Sequence, residues 1–216
     1  MLMRAILLSW TLLVLPAQDA DPLLALLQRK LDGLTALKGR FIQTLDTPSL
    51  GRPRTEEGRL AFKKPALMRW DYEKPEPKVA VADGRHTWLY TPADRQVKRG
   101  SVRDLQEEGA AALLLAGRIS LVKDFRSRRP SAEESGPPGV SGGVTVELTP
   151  LKPNQEFAKL ILVIDPVRLQ IRSLTVAGAA GERMVFDLFD LEENPDLPDD
   201  LFRFEIPVGA EVLEDR

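Results

Sequence analysis

From Gly58 to Tyr90 the sequence reads GRLAFKKPALMRWDYEKPEPKVAVADGRHTWLY, and its alternation commits this part of the chain to pleated strands. In LMRWDY, Met68, Trp70 and Tyr72 project to one side of a strand, and Leu67, Arg69 and Asp71 to the other. In HTWLY, His86, Trp88 and Tyr90 share a face in the same way. Two short breaks lie between them, EKPEP and Asp83-Gly84, and the second is a two-residue hairpin signal because glycine tolerates positive φ. The expectation is a sheet that sets both tryptophans side by side. Such a face either packs on a core or is presented to something apolar.

The first residues read as an address. Arg4 precedes the apolar run AILLSWTLLVL, which is shorter than the roughly 20 residues of a membrane span and leads into the small and polar residues PAQDA. Residues 1–17 are therefore expected to be a secretory leader, with Ala20 as the alternative cleavage point, and 18–216 a single domain. The chain has no cysteine, which rules out both disulfides and a lipidated cysteine. Its 30 basic and 32 acidic residues leave no positive excess for a nucleic-acid surface.

Asp21-Pro22 predicts a helix start, with the carboxylate as N-cap and proline at the first position. Leu23, Leu27, Leu31 and Leu34 then form one apolar stripe, expected to run to about Lys38 and to end at Gly39. Strand patterns follow in GRFIQTLD, GRLAFKK, the two tryptophan segments and QVKR. Val102 to Phe125, with internal Gly109 and Gly117 and the apolar AAALLLA, predicts two or three short helices. Ser127 to Gly143 reads as an exposed loop, after which VTVEL, FAKLILVID, LQIRSLTVA and ERMVFDLFDL restore the strand pattern. A final strand is expected to carry Phe202 and Phe204. About ten strands in a meander curl because sheets twist, and one face must then be covered by the available helices. The predicted architecture is α+β, mainly β: an unclosed antiparallel barrel with helices against its concave face.

Catalytic constellations are not legible. His86 is the sole histidine, so triads and His-based metal sites lack members, and DLEENPDLPDD lacks the glycine of a calcium loop. No phosphate-binding glycine motif precedes a helix. No enzyme activity and no cofactor are expected. What remains is apolar surface, and single curved sheets that enclose apolar space commonly hold ligands.

G-x-L-x-F-x-K-P, then R-W-x-Y, a proline-containing break, a D-G turn and W-x-Y-x-P resemble the periplasmic outer-membrane lipoprotein carrier family, the LolA-type carriers. The likeness extends through LLLAGR, VELTP and LILVID to LFRFEIPVGAEV. It implies a half-barrel with a helical lid over a hydrophobic cavity. It further implies a monomeric periplasmic shuttle that takes acylated lipoproteins from an inner-membrane ABC release complex to an outer-membrane receptor lipoprotein. Leu60, Phe62, Met68, Trp70, Tyr72, Trp88 and Tyr90 would line the cavity, and Leu113, Leu114 and Leu115 would belong to the lid. Family members carry arginine before the motif proline, where it bonds lid backbone. This chain has Lys64, so the latch is expected to be weaker or absent and the lid to open more readily. A lipid- or lipoprotein-sensing regulatory module on the same half-barrel is the alternative reading.

Overall fold

The computed structural model describes residues 21–48, 51–101, 114, 119–130, 143–153 and 157–214. The leader and two of the three lid leucines, Leu113 and Leu115, lie outside these residues.

Asp21 caps α1 (Pro22–Gly33) as expected, its Oδ1 accepting the Leu23 N–H at 2.9 Å. The helix ends sooner than the leucine stripe predicts. The Leu34 N–H turns back to Lys30 and Leu31 carbonyls, and Asn194 captures the next residue by accepting the Thr35 N–H at 2.8 Å. Ala36 onward is then strand, so tertiary pairing overrides helix propensity at the boundary.

Among the described residues twelve strands form one sheet. Six precede the segment predicted as helical: β1 (Ala36–Asp46), β2 (Arg54–Lys63), β3 (Leu67–Lys74), β4 (Lys78–Asp83), β5 (His86–Thr91) and β6 (Gln96–Ser101). Five follow it: β7 (Phe125–Arg128), β8 (Val144–Pro150), β9 (Lys159–Asp165), β10 (Gln170–Ala177) and β11 (Arg183–Glu193). The last, β12 (Glu211–Glu214), lies parallel to β6. The order β12-β6-β5-β4-β3-β2-β1-β11-β10-β9-β8-β7 joins two meanders through the antiparallel pair β1 and β11. β7 corrects the reading of Ser127 onward as loop, since Phe125 to Arg128 pairs with Glu147 to Pro150.

The sheet is strongly curled. Trp70 on β3 and Phe186 on β11 are three strands apart, about 14 Å across a flat sheet, yet their ring centroids are 5.7 Å apart. Gly39 and Gly58 stand at register irregularities on the two sides of β1 and β2. A Cβ at Gly39 would lie 2.8 Å from the Phe189 carbonyl oxygen, and one at Gly58 2.0 Å from that of Asp71. Gly39 thus serves strand approach and is not the helix terminator expected.

Each face of the curl is covered by a different part of the chain. On the concave side, Leu23, Leu24 and Leu27 of α1 are buried with Leu114, Ile119 and Leu121 against the inner residues of β8 to β11. On the convex side, the segment after β11 runs back across β1 to β6 as a strap. Leu197 and Phe202 are buried against Ala36, and the Lys63 ammonium donates to the Leu197 carbonyl at 2.8 Å and to Asp199 at 2.6 Å. Phe202 ends a 3-10 turn (Asp199–Phe202) and Phe204 follows it, so the final strand is β12 and carries neither.

Candidate functional site

Register determines which predicted wall residues meet. Phe62 pairs with Met68, Leu60 with Trp70 and Gly58 with Tyr72, so Leu60, Phe62, Met68, Trp70 and Tyr72 share the concave face. Leu60, Phe62 and Met68 are buried, and Trp70 and Tyr72 half-buried. Trp70 packs against both apolar clusters of the concave face, the one under α1 and the one between β1 and β4.

Trp88 and Tyr90 are not on this wall, which corrects the expectation that both tryptophan strands face one way. β4 intervenes, pairing Trp70 with Ala80 on one side and Val81 with Trp88 on the other. The concave positions of β5 are therefore Thr87 and Leu89. Trp88 and Tyr90 sit on the convex face under the strap, their ring centroids 5.5 and 6.2 Å from that of Phe204. Asp83 anchors this arrangement by accepting the Trp88 indole N–H at 2.9 Å. Partial burial works to raise the Asp83 pKa, but the backbone N–H of His86, the Trp88 indole and the Arg85 N–H outweigh it and hold the carboxyl below its ordinary value.

β1 and β11 supply wall residues that sequence reading did not single out. Phe41 has 1 % exposure, and its ring stands edge-on to Trp70 at 4.8 Å and to Tyr72 at 5.0 Å. Leu37, Leu188 and Leu191 pack beside them. The signals were present as alternation in GRFIQTLD and RMVFDLFDL.

At the C-terminal end of α1 the wall opens into a small crevice, part of it open to solvent, lined by leucines of α1, β1 and β11 with Lys30, Gln170 and Glu193 at its edge. The Lys30 ammonium lies 2.7 Å from Glu193, which also accepts from the Gln170 amide at 2.7 Å. Beside it, the Lys64 ammonium donates to the carbonyls of Leu31 and Asp32, both at 2.9 Å. The residue before Pro65 is thus tied to the last turn of α1 by two hydrogen bonds. The wall offers aromatic and aliphatic surface with few polar groups, an arrangement suited to holding hydrocarbon.

A family model described as "Outer membrane lipoprotein carrier protein LolA" matches residues 32–205. An outer-membrane lipoprotein carrier protein of Chromohalobacter salexigens is 30% identical over 190 residues, covering 86% of this chain and 83% of that one. One of Azotobacter vinelandii is 29% identical over 223 residues, covering 99% of each. Among solved structures, an uncharacterized conserved protein from Thermus thermophilus superimposes with a TM-score of 0.55 at 14% identity, over 89% of this chain and 97% of that one.

Proposed function

This chain belongs to the outer membrane lipoprotein carrier protein family, and on that premise we propose that it is a periplasmic carrier for acylated lipoproteins. It receives them from an inner-membrane ABC release complex, shields their acyl chains against the concave wall, and passes them to an outer-membrane receptor lipoprotein. It does so as a monomer and without covalent chemistry. The observation that carries this reading is the wall itself: Leu60, Phe62, Met68, Trp70 and Tyr72 gathered on one concave face, with α1 covering the neighbouring strands.

Magnitudes favour partial enclosure. Each buried methylene contributes roughly 0.8 kcal/mol, so full burial of several long chains would exceed the practical ceiling of non-covalent affinity, about 18 to 21 kcal/mol. A shuttle with such a grip would not release its cargo. The lid reading of Leu113, Leu114 and Leu115 addresses this: a cover that lifts returns part of the apolar area to water at the moment of hand-off. Leu114, buried at 2 % exposure against the α1 cluster, supports that assignment.

The test is a transfer assay. The purified mature protein is incubated with inner-membrane vesicles that contain the release complex, ATP and a radiolabelled lipoprotein, and the vesicles are then sedimented. Lipoprotein should enter the supernatant as a one-to-one complex and move on to outer-membrane vesicles. If it stays with the first vesicles at saturating carrier, transport is not the function and sensing becomes the better reading.

A further inference from the structure

Leu169 lines the crevice on a backbone that its residue type disfavours. It stands at φ +52°, in the left-handed region, where the Cβ of an L-residue crowds a carbonyl oxygen and glycine or asparagine is the usual occupant. The turn explains the conformation. Residues 166–169 join β9 to β10, and the ladder resumes with Asp165 opposite Gln170. Asp165 Oδ1 accepts the N–H groups of Val167 and Arg168 at 3.0 and 2.9 Å, which winds the start of the turn. The chain then reverses its hand at residue 169 to rejoin the ladder. A glycine there would relieve the backbone, but it would leave the crevice without this side chain.

The Leu169 side chain is half-buried against the cluster under α1 and shares the crevice lining with Leu31, Leu34, Leu37, Leu188 and Leu191. It differs from several of them in its freedom to move. Leu31 belongs to α1, the Leu34 N–H caps that helix, and Leu37 and Leu188 stand in the β1 and β11 ladders. Withdrawing any of those four breaks backbone hydrogen bonds. Leu169 lies in a turn, so its outward swing breaks no ladder pair. The tip of that turn stands clear of the body, with Val167 89 % exposed, and the Lys30 ammonium ties it to α1 by donating to the Arg168 carbonyl. A swing also releases the left-handed backbone, which offsets part of the apolar burial that Leu169 gives up. Hydrocarbon entering the vacated place restores the rest, since a polymethylene chain is no wider than the isobutyl group it replaces.

We propose that Leu169 is a displaceable plug: in the empty carrier it fills the crevice beside the last turn of α1, and hydrocarbon of the guest takes its place as the turn joining β9 and β10 swings out. Leu169 thereby sets how readily the crevice accepts an acyl chain. This deepens the carrier reading and rests on it.

The chain has no cysteine, so Leu169→Cys puts the sole thiol of the protein at the plug. Its rate of reaction with a thiol reagent is measured in the mature protein with and without palmitate, and palmitate binding is measured by calorimetry. Palmitate should raise the rate severalfold. A slower reaction shows that the chain lies over a residue that stays in place, and an unchanged rate shows that no chain displaces it; either result overturns the plug. Palmitate binding with no rise in rate leaves carriage intact, whereas no palmitate binding by the unaltered chain removes the carrier reading as well. Two further variants give an independent readout. Leu169→Gly should bind palmitate roughly tenfold more tightly than the unaltered chain, because no plug has to leave. It should also have a higher urea midpoint than Leu169→Ala, which keeps a Cβ on the left-handed backbone. Palmitate binding by Leu169→Gly no tighter than that of the unaltered chain, or a midpoint below that of Leu169→Ala, makes Leu169 an ordinary core residue and overturns the proposal.

Discussion

A two-residue turn decides the fate of Trp88. The five residues between Tyr72 and Lys78 leave even-numbered positions of β3 and β4 on the concave side, so Met68, Trp70, Ala80 and Ala82 face inward together. Gly84, at φ +91°, and Arg85 then form the next turn alone, and two intervening residues reverse the parity. From β5 the inward positions are odd, and Trp88 faces out. The hairpin signal at Asp83-Gly84 was legible, and its consequence was legible with it once β4 is counted as a strand. The sequence could not say what would cover the outward ring, because Phe204 arrives from far along the chain. Brominated palmitate should therefore quench Trp70 and spare Trp88. A Trp88→Phe protein should keep nearly all of the quenching and a Trp70→Phe protein lose it; similar quenching of both would contradict the assignment of faces. Lys64 carries a second prediction at this scale. Its two bonds to α1 carbonyls come from a point charge, whereas arginine would spread five donors over the same turn. Lys64→Arg should slow uptake of an apolar dye and Lys64→Ala should speed it. Unchanged rates in both variants would show that Lys64 does not gate access.

At the scale of elements, α1 and the strap hold opposite faces and depend on different chemistry. α1 is fixed at its start by Asp21, whose carboxylate accepts from Leu23 and from the Arg129 guanidinium at 2.7 and 2.9 Å. The Arg129 bond, against partial burial, and the helix N–H groups hold its pKa below the ordinary 3.8. The folded state thus binds its proton less readily than the unfolded state does. This contribution is complete above the ordinary carboxylate range and is lost as pH falls through the lowered value. The urea midpoint should drop between about pH 5 and pH 2, and by less in Asp21→Asn; equal acid sensitivity would place the loss elsewhere. The strap depends on burial. Phe202 has 1 % exposure, and Phe202→Ala should cost about 3 to 5 kcal/mol in a denaturant titration. A cost below about 1 kcal/mol would mean that the strap lies loosely. The cap of α1 was plain from Asp21-Pro22, but its end was not. Residues 34–38 continue a helical pattern, yet the helix stops before them and strand begins at Ala36, because Asn194, Lys64 and β2 take up their backbone groups.

For the molecule as a whole, the half-barrel was legible because every pairing among β1 to β11 but one joins neighbours in sequence. The exception is β1 with β11, which no local pattern could announce. It sets Gln43 beside Met184, 141 residues away in sequence, and it brings Trp70 within 5.7 Å of Phe186. Each meander can zip up from local hairpins, whereas this seam must wait for a large loop to close. Refolding from urea should therefore show early gain of strand signal in circular dichroism and a later change in Trp70 fluorescence. Simultaneous change in the two signals would indicate that the halves do not form ahead of the seam. Until it closes, two half-sheets exist with no curl between them. The capacity to hold an apolar guest is then an all-or-none property of the finished chain, absent from every partly folded intermediate that a membrane-bound donor could meet.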